Sequence, residues 1–339
     1  MSVFRRAANG LRVFGRALAP APSVDMRPDW EQAEPVWIKR ALTHSQALPT
    51  GGWYALDASR AITDAPQRYE VEGRALVVWR DAHGLLAAPE ACPHLGASLA
   101  TARACEGKLV CPWHGLALGR DGYKGWKPFA THDDGVLAWV RLDGFTDDLT
   151  EAPILPSRPA RALDAVMRVE AQCEPRDVIQ NRLDPWHGVH FHPHSFGTLR
   201  VIDRAEDAIT VRVAYKLPLS LAVEVDARFH CPDARTIAMT IIAGEGSGSI
   251  VETHATPISA GRTAVIEATL ATSERPGFGA AIAAAPVLRP IMAWAAKRLW
   301  TEDAAYAERI YALRHQISIG QPRLAAIRRK RGSGLTATG

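Results

Sequence analysis

The stretch that most restricts what this chain can become is CPHLGASLATARACEGKLVCPWHG, residues 92 to 115. It holds three of the five cysteines and two of the twelve histidines. Cys92 and His94 form a C-x-H pair, Cys111 and His114 a C-x-x-H pair, with sixteen residues between them. Pro93 and Gly96 shape one tight turn, and Pro112 and Gly115 shape the other. The fold must therefore bring two loops tip to tip around one object. Zinc, an iron–sulfur cluster and a redox disulfide all use these residue types. Two thiolates and two imidazoles suit tetrahedral zinc by ligand type alone. A zinc finger, however, usually gathers both cysteines in one loop and both histidines in another. Here each loop supplies one of each.

That arrangement resembles the Rieske family, in which one iron of a two-iron, two-sulfur cluster is held by two cysteines and the other by two histidines. The resemblance covers about residues 53 to 144 and implies a [2Fe-2S] cluster on Cys92, His94, Cys111 and His114. Respiratory and photosynthetic members carry an extra cysteine in each loop, joined as a disulfide. Those positions are Ala97 and Trp113 here, which implies the lower-potential type of oxygenases and ferredoxins. Leu95 departs from the arginine that oxygenases often carry. Cys105 lies outside either ligand register and is expected to be a spare thiol.

With 339 residues, 47% hydrophobic and 22% charged, the chain suits two globular domains of ordinary size. No run of eighteen apolar residues is present, so no membrane span is expected. An odd cysteine number without secreted-type spacing, and no secretory signal, point to a reducing cytoplasm. The net charge of +4 is uneven: Arg5, Arg6, Arg12 and Arg16 fall in an acid-free start, and residues 323 to 331 hold five basic residues and no acid. Val3, Phe4, Ala7, Leu11, Phe14 and Leu18 align on one face at helical spacing, predicting a basic amphipathic helix that allows a peripheral membrane contact.

The pattern divides the chain into an N-terminal extension (1–48), an all-β domain (49–150), a proline-marked linker (151–160), a second domain (161–320) and a basic tail (321–339). In the second domain a helix is expected over 174–190. Strands are expected over 208–217, 221–229, 236–243, 249–256 and 262–272, with GEGSGS at 244–249 as a hairpin turn. A long helix over 280–315, bent or broken at Pro286 and Pro290, closes the domain. An all-β domain followed by a helix-grip-like domain, with an antiparallel sheet and a long C-terminal helix, makes the chain α+β.

DVIQNRLDPWHGVHFHPHSF, residues 177 to 196, holds the second constellation, with four histidines within eight residues. The chemistry to test is the triad of two histidines and one carboxylate that leaves iron positions open. His187 and His190, or His190 and His194, would share a helix face. His187 and His192 are about 500° apart on an ideal helix, so that pair needs the helix to open near Phe191 to Pro193. Pro193 supplies a reason for it to do so.

The spacing Asn181-x-x-Asp184-x-x-His187-x-x-x-x-His192 resembles the mononuclear iron motif of Rieske non-haem iron oxygenases, in the form of the monooxygenase and demethylase branch. The resemblance implies His187 and His192 as ligands to non-haem Fe(II), with His190 and His194 outside the metal. It maps the third ligand onto Asp303 in WTEDAAYAERIYALRH (300–315), leaving Glu302 and Glu308 as solvated or capping carboxylates. It gives Asp184 the role of linking the cluster histidine His114 of one subunit to His187 of the next, within a head-to-tail homotrimer. Asn181 becomes a residue that either supports the iron ligands from behind or lines the cavity.

The same resemblance implies an oxygenase component. It would use O₂ and electrons from a separate ferredoxin or NAD(P)H-dependent reductase to hydroxylate, demethylate or desaturate a hydrophobic substrate. No dinucleotide or flavin fingerprint is present in the chain, and no nucleic-acid partner is expected. The apolar, small-residue run GFGAAIAAAPVL (277–288) suits a bulky hydrophobic ligand. A Rieske electron carrier with a non-catalytic second domain, and a non-redox binding protein using the same helix-and-sheet cavity, are the alternatives.

Overall fold

The computed structural model describes residues 30–217 and 221–316, with short backbone stretches at 12–13, 16–17 and 19–20. Three two-residue strands come first: β1 (Arg12–Val13), β2 (Arg16–Ala17) and β3 (Ala19–Pro20). β1 and β2 pair with each other, and β3 pairs with Leu221 and Ala222. Residues 12–13, 16–17 and 19–20 are thus strand, not the amphipathic helix expected there. The apolar residues on which the helix rested, Val3 to Leu18, lie outside the described residues, as does the basic tail.

Helix α1 (Pro35–Gln46) begins with proline, where no intrahelical N–H is lost. Trp37, Ile38, Ala41 and Leu42 form its buried face and pack against Ile179, Leu183, Trp186 and Val189. The late part of the segment read as an extension therefore helps build the second domain's core.

The first domain runs through β4 (Trp53–Ala58), β5 (Gln67–Val71), β6 (Arg74–Asp81), β7 (Gly84–Pro89) and β8 (Arg103–Cys105). It continues with β9 (Lys108–Val110), β10 (Ala117–Leu118), β11 (Ala130–Asp133) and β12 (Leu137–Arg141). These make three three-stranded antiparallel sheets, ordered β5-β6-β7, β10-β9-β8 and β11-β12-β4. The β8–β9 hairpin turns on Glu106 and Gly107, both at positive φ, the handedness that matches strand twist.

The second domain is built on one antiparallel sheet. Its strands are β13 (Leu163–Ala171), β14 (Phe196–Arg204), β15 (Ala208–Leu217), β16 (Leu221–Asp233), β17 (Thr236–Gly244), β18 (Ile250–Ser259) and β19 (Arg262–Ala271). Their order is β13-β19-β18-β17-β16-β15-β14. The five strands expected between 208 and 272 are all present; β13 and β14 are additional. The helix expected over 174–190 is two helices, α2 (Pro175–Arg182) and α3 (His187–Phe191). Pro185 separates them by disfavouring helical backbone at Asp184. The long helix divides at Ala284 into α4 (Phe278–Ala283) and α5 (Ala285–Arg314). Pro286 sits in the first turn of α5 and Pro290 is accommodated within it.

Strands β18 and β19 are buried on both faces. Ile250, Ile258, Ala264, Ile266, Ala268 and Leu270 join Trp53, Ala55, Leu137 and Trp139 of the first domain in a single core. Ala255 and Val265 point the other way and pack with Trp300 and Ala307 of α5. The alternation of a strand thus assigns one face to each neighbour.

A polar seam closes the same junction. From the linker, Arg158 bonds both carboxylate oxygens of buried Glu252 at 2.6 Å and reaches Asp134 at 3.0 Å. His254 lies 3.1 Å from Glu252, and Thr256 Oγ1 donates to the Ala55 carbonyl. Arg158→Ala leaves Glu252 buried with only His254 beside it among these partners, so thermal unfolding should show a loss of about 3 kcal/mol. Burial alone would raise the Glu252 carboxyl, but Arg158 and His254 outweigh it and hold it below its ordinary 4.5. A depressed carboxyl stabilises fully above its unfolded value and loses that contribution as pH falls through the folded one. Unfolding temperatures measured downward from pH 5 should therefore drop more steeply in the wild type than in Glu252→Gln.

Candidate metal centres

Both Cys/His loops are built alike. In one, the Cys92 N–H donates to the Ala97 carbonyl at 2.8 Å and the Gly96 N–H to the Cys92 carbonyl at 2.9 Å. In the other, Cys111 donates to Leu116 and Gly115 to Cys111, both at 2.9 Å. Gly96 and Gly115 hold φ of 80° and 73°, which a side chain would strain. Cys92 and Cys111 are buried over Trp79, Leu99, Leu109 and Trp126. The N–H groups of His94 and Leu95 face the Cys92 sulfur, and those of Trp113 and His114 face Cys111.

The four side chains sort into pairs, sulfur with sulfur and ring with ring. Cys92 and Cys111 lie within hydrogen-bond contact, and the His94 and His114 rings are 4.8 Å apart. Among the described residues, no three of these four bring ligand atoms within 4.8 Å of one another, the clustering a single zinc would need. Two irons, one taking both sulfurs and one both nitrogens, fit this arrangement. His94 and His114 are exposed, and so are Leu95 and Trp113 beside them, at 63% and 61%. Ala97 is buried.

The remaining thiols separate by access. Cys173 and Cys231 are pushed up by burial, Cys231 to about 12, whereas Cys105 is exposed beside the β8–β9 turn. Brief iodoacetamide treatment of the native protein followed by peptide mass spectrometry should modify Cys105 and spare Cys173 and Cys231.

The second centre is assembled from α2, α3 and α5. His187 opens α3, and His192 caps it with φ −119° and ψ 54°, outside helical geometry. The helix opens just before Pro193, so the two imidazoles converge as that spacing requires. His187 Nε2 lies 3.0 Å and His192 Nε2 2.7 Å from the same Asp303 Oδ1. Among the described residues, His187, His192 and Asp303 form the set whose ligand atoms all fall within 4.8 Å of one another.

Each histidine is held by its other nitrogen. The His187 Nδ1–H donates to the Asp184 carbonyl, and the His192 Nδ1–H to Glu302 Oε2 at 2.7 Å. Both Nε2 lone pairs are thereby left for a metal. Burial would raise the Asp303 carboxyl, yet contact with His187 and His192 holds it far below the ordinary range. A carboxylate between two imidazoles, each bonded through its Nδ1, is a donor set that fits a divalent iron.

Glu302, expected to be solvated or capping, is instead the carboxylate that orients His192, with its side chain 13% exposed. It also lies 3.9 Å from His194. Glu308 accepts the Gln172 N–H at 3.0 Å. His190 is exposed against the Trp186 ring, away from the triad. Asn181, fully buried, donates to Asp303 Oδ1 at 3.4 Å. Tyr306, which sequence reasoning does not single out, stacks on the His187 ring at 5.2 Å and donates to Asp184 Oδ2 at 3.2 Å. Its one signal is the i, i+3 spacing from Asp303 on one helix face. Asp184 is buried, and among the described residues its Oδ1 has no hydrogen-bond partner, nor has Asn181 Oδ1.

Residues 52–135 match the Rieske [2Fe-2S] domain, and residues 145–318 match a family described as a domain of unknown function, DUF5914. The second match covers just over half of the chain. The chain belongs to the DUF5914 family. Its Rieske–DUF5914 arrangement has homologues among the oxygenase components of Rieske systems. The chain is 36% identical over 76 residues to the vanillate O-demethylase oxygenase subunit of Pseudomonas sp. strain HR199, covering 22% of each chain. It is 28% identical over 186 residues to the chloroacetanilide N-alkylformylase oxygenase component of Rhizorhabdus wittichii, covering 47% of this chain and 53% of that one. The Rieske–DUF5914 chain thus spans between about a fifth and a half of the length of these relatives. Dicamba monooxygenase bound to dicamba shares its fold, with a TM-score of 0.60 at 17% identity over 84% of this chain and 96% of that one. So does the terminal oxygenase of carbazole 1,9a-dioxygenase from Novosphingobium sp. KA1, with a TM-score of 0.54 at 14% identity, over 90% and 92%. Among the described residues, no helix is long and apolar enough to cross a membrane.

Proposed function

We propose that this Rieske–DUF5914 chain is the oxygenase component of a multi-protein monooxygenase acting on a hydrophobic organic substrate. The observation that carries it is the convergence of His187, His192 and Asp303, with both histidines bonded so that Nε2 is free. Cys92, His94, Cys111 and His114 would hold a [2Fe-2S] cluster, and the triad a mononuclear Fe(II). When bound, the two centres supply electron storage and dioxygen activation.

The chain's own residues prepare both. Glu302 and the Asp184 carbonyl orient the ligand imidazoles. Asn181 positions Asp303 from the buried side. Phe191, Phe196 and Tyr306 line the triad with aromatic rings, which suits an apolar substrate and limits water. Asp184 keeps one buried oxygen that no donor among the described residues of its own chain reaches. The exposed His114 of a neighbouring copy would be its donor, in a head-to-tail homotrimer, with Leu95 and Trp113 packed at the contact. A ferredoxin or reductase would be the electron source.

Iron and sulfide analysis of anaerobically purified protein, with EPR before and after dithionite, tests the proposal. It predicts about three irons per chain, one of them mononuclear. Two irons, all in the cluster, would leave only an electron carrier.

A further inference from the structure

The first half of α5 carries a surface that neither metal centre explains. Val287, Ile291 and Trp294 are 65%, 56% and 63% exposed. Their i, i+4, i+7 spacing places them in one stripe along the helix. Pro290 and Ala295 are exposed beside them. On the next turn Lys297 and Arg298 are also exposed. Of the four basic residues from Arg275 to Thr301, Arg275 pairs with Glu245 and Arg289 with Asp164, so Lys297 and Arg298 are the bases this surface offers, with no acid in the segment. The helix's buried contacts lie elsewhere, at Ala285 and then from Trp300 onward.

An apolar stripe with a tryptophan at its end, followed by two long basic side chains, matches the layering of a lipid interface. Apolar groups enter the acyl boundary, the indole sits at headgroup level, and Lys and Arg stems reach back to the phosphates. A symmetric pairing of this surface with its own copy is disfavoured. Mating the stripe with itself would confront Lys297 and Arg298 with further bases and no carboxylate from the same segment. We propose that the Val287–Ile291–Trp294 ridge of α5, with Lys297 and Arg298, seats the protein on an anionic lipid bilayer.

One consequence of this seating rests on the proposed function. Trp294 and Asp303 are nine residues apart on one continuous helix, about 14 Å along its axis. A hydrophobic substrate leaving the bilayer at the ridge would have only that distance to travel to the triad.

Flotation of the full-length holoprotein with vesicles of phosphatidylcholine, alone or with a quarter phosphatidylglycerol, tests the seating. The wild type should float with the mixed vesicles. Ile291→Ser/Trp294→Ser and Lys297→Glu/Arg298→Glu should each bind roughly tenfold or more weakly. All four positions are exposed, and an unchanged cluster absorbance would show that the variants fold. Three results would overturn the inference. The wild type could ignore both vesicle types. The variants could float as well as the wild type, placing the contact in the basic terminal segments. Or light scattering could show that the Ile291/Trp294 variant changes oligomeric mass, making the ridge a protein contact.

Discussion

Asp303→Ala should purify with a full [2Fe-2S] cluster but without mononuclear iron, falling from about three irons per chain to two, with product formation at background. The expectation rests on how the site is divided. His187 and His192 come from one short segment, and the third ligand arrives on α5, more than a hundred residues later. Removing it leaves two neutral imidazoles, an incomplete donor set with no charge to offset that of the metal. The deletion also opens space beside Asn181, whose amide donates to the same carboxylate. Asp303→Asn therefore serves as a second variant, because it keeps the shape and the hydrogen bonds while removing the charge. Both should lose the mononuclear iron measured after anaerobic reconstitution, and both should keep the cluster's EPR signal. Full iron retention in either would remove the triad from the proposal.

Asp184→Asn should do the opposite: keep both metal centres and slow turnover by roughly 100-fold. Asp184 holds His187 through its backbone carbonyl, which the substitution leaves intact, so iron binding should survive. What changes is the side chain, with one oxygen receiving Tyr306 and the other buried without a donor among the described residues. A buried carboxylate lacking its second partner is costly for an isolated chain. The cost is removed if an imidazole N–H from a neighbouring copy completes it. An amide there can receive one donor but presents its own N–H groups to the second. Stopped-flow measurement separates the roles: cluster reduction by dithionite should be unchanged, while its reoxidation with substrate and O₂ should be slow. A variant that reoxidises at the wild-type rate would show that Asp184 is structural only. Glu302→Ala should give a milder effect, lowering iron affinity about 10–100-fold through loss of His192 orientation.

The parts of this molecule that can be read from its sequence are those specified within a few residues. Two turns with Pro and Gly at fixed offsets announce the cluster loops, because thiolate and imidazole must leave each loop at defined angles. Pro193 marks the point where α3 must open, and with it the His187–His192 pair. The strands from 208 to 271 show because apolar residues recur in runs. The role of Glu302 is not legible, because nothing local distinguishes it; only the approach of α3 across 110 positions gives it a partner. Nor is α1, whose buried stripe has meaning only against α2 and the sheet. The strands at 12–20 stay hidden because strand pairing depends on the partner, and for β3 that partner lies two hundred residues away.

Strands β18 and β19 give one face to each domain, and the Arg158–Glu252 pair locks the seam between them. Such a seam would hold the Cys/His tips fixed relative to the triad of their own chain, where tethered carrier domains swing. Electron delivery would then be a matter of docked geometry, not diffusion of a domain on a leash. Thickening the solvent with glycerol should leave the intrinsic transfer step unslowed, and shortening or lengthening the 151–160 linker should disrupt folding before it alters that rate.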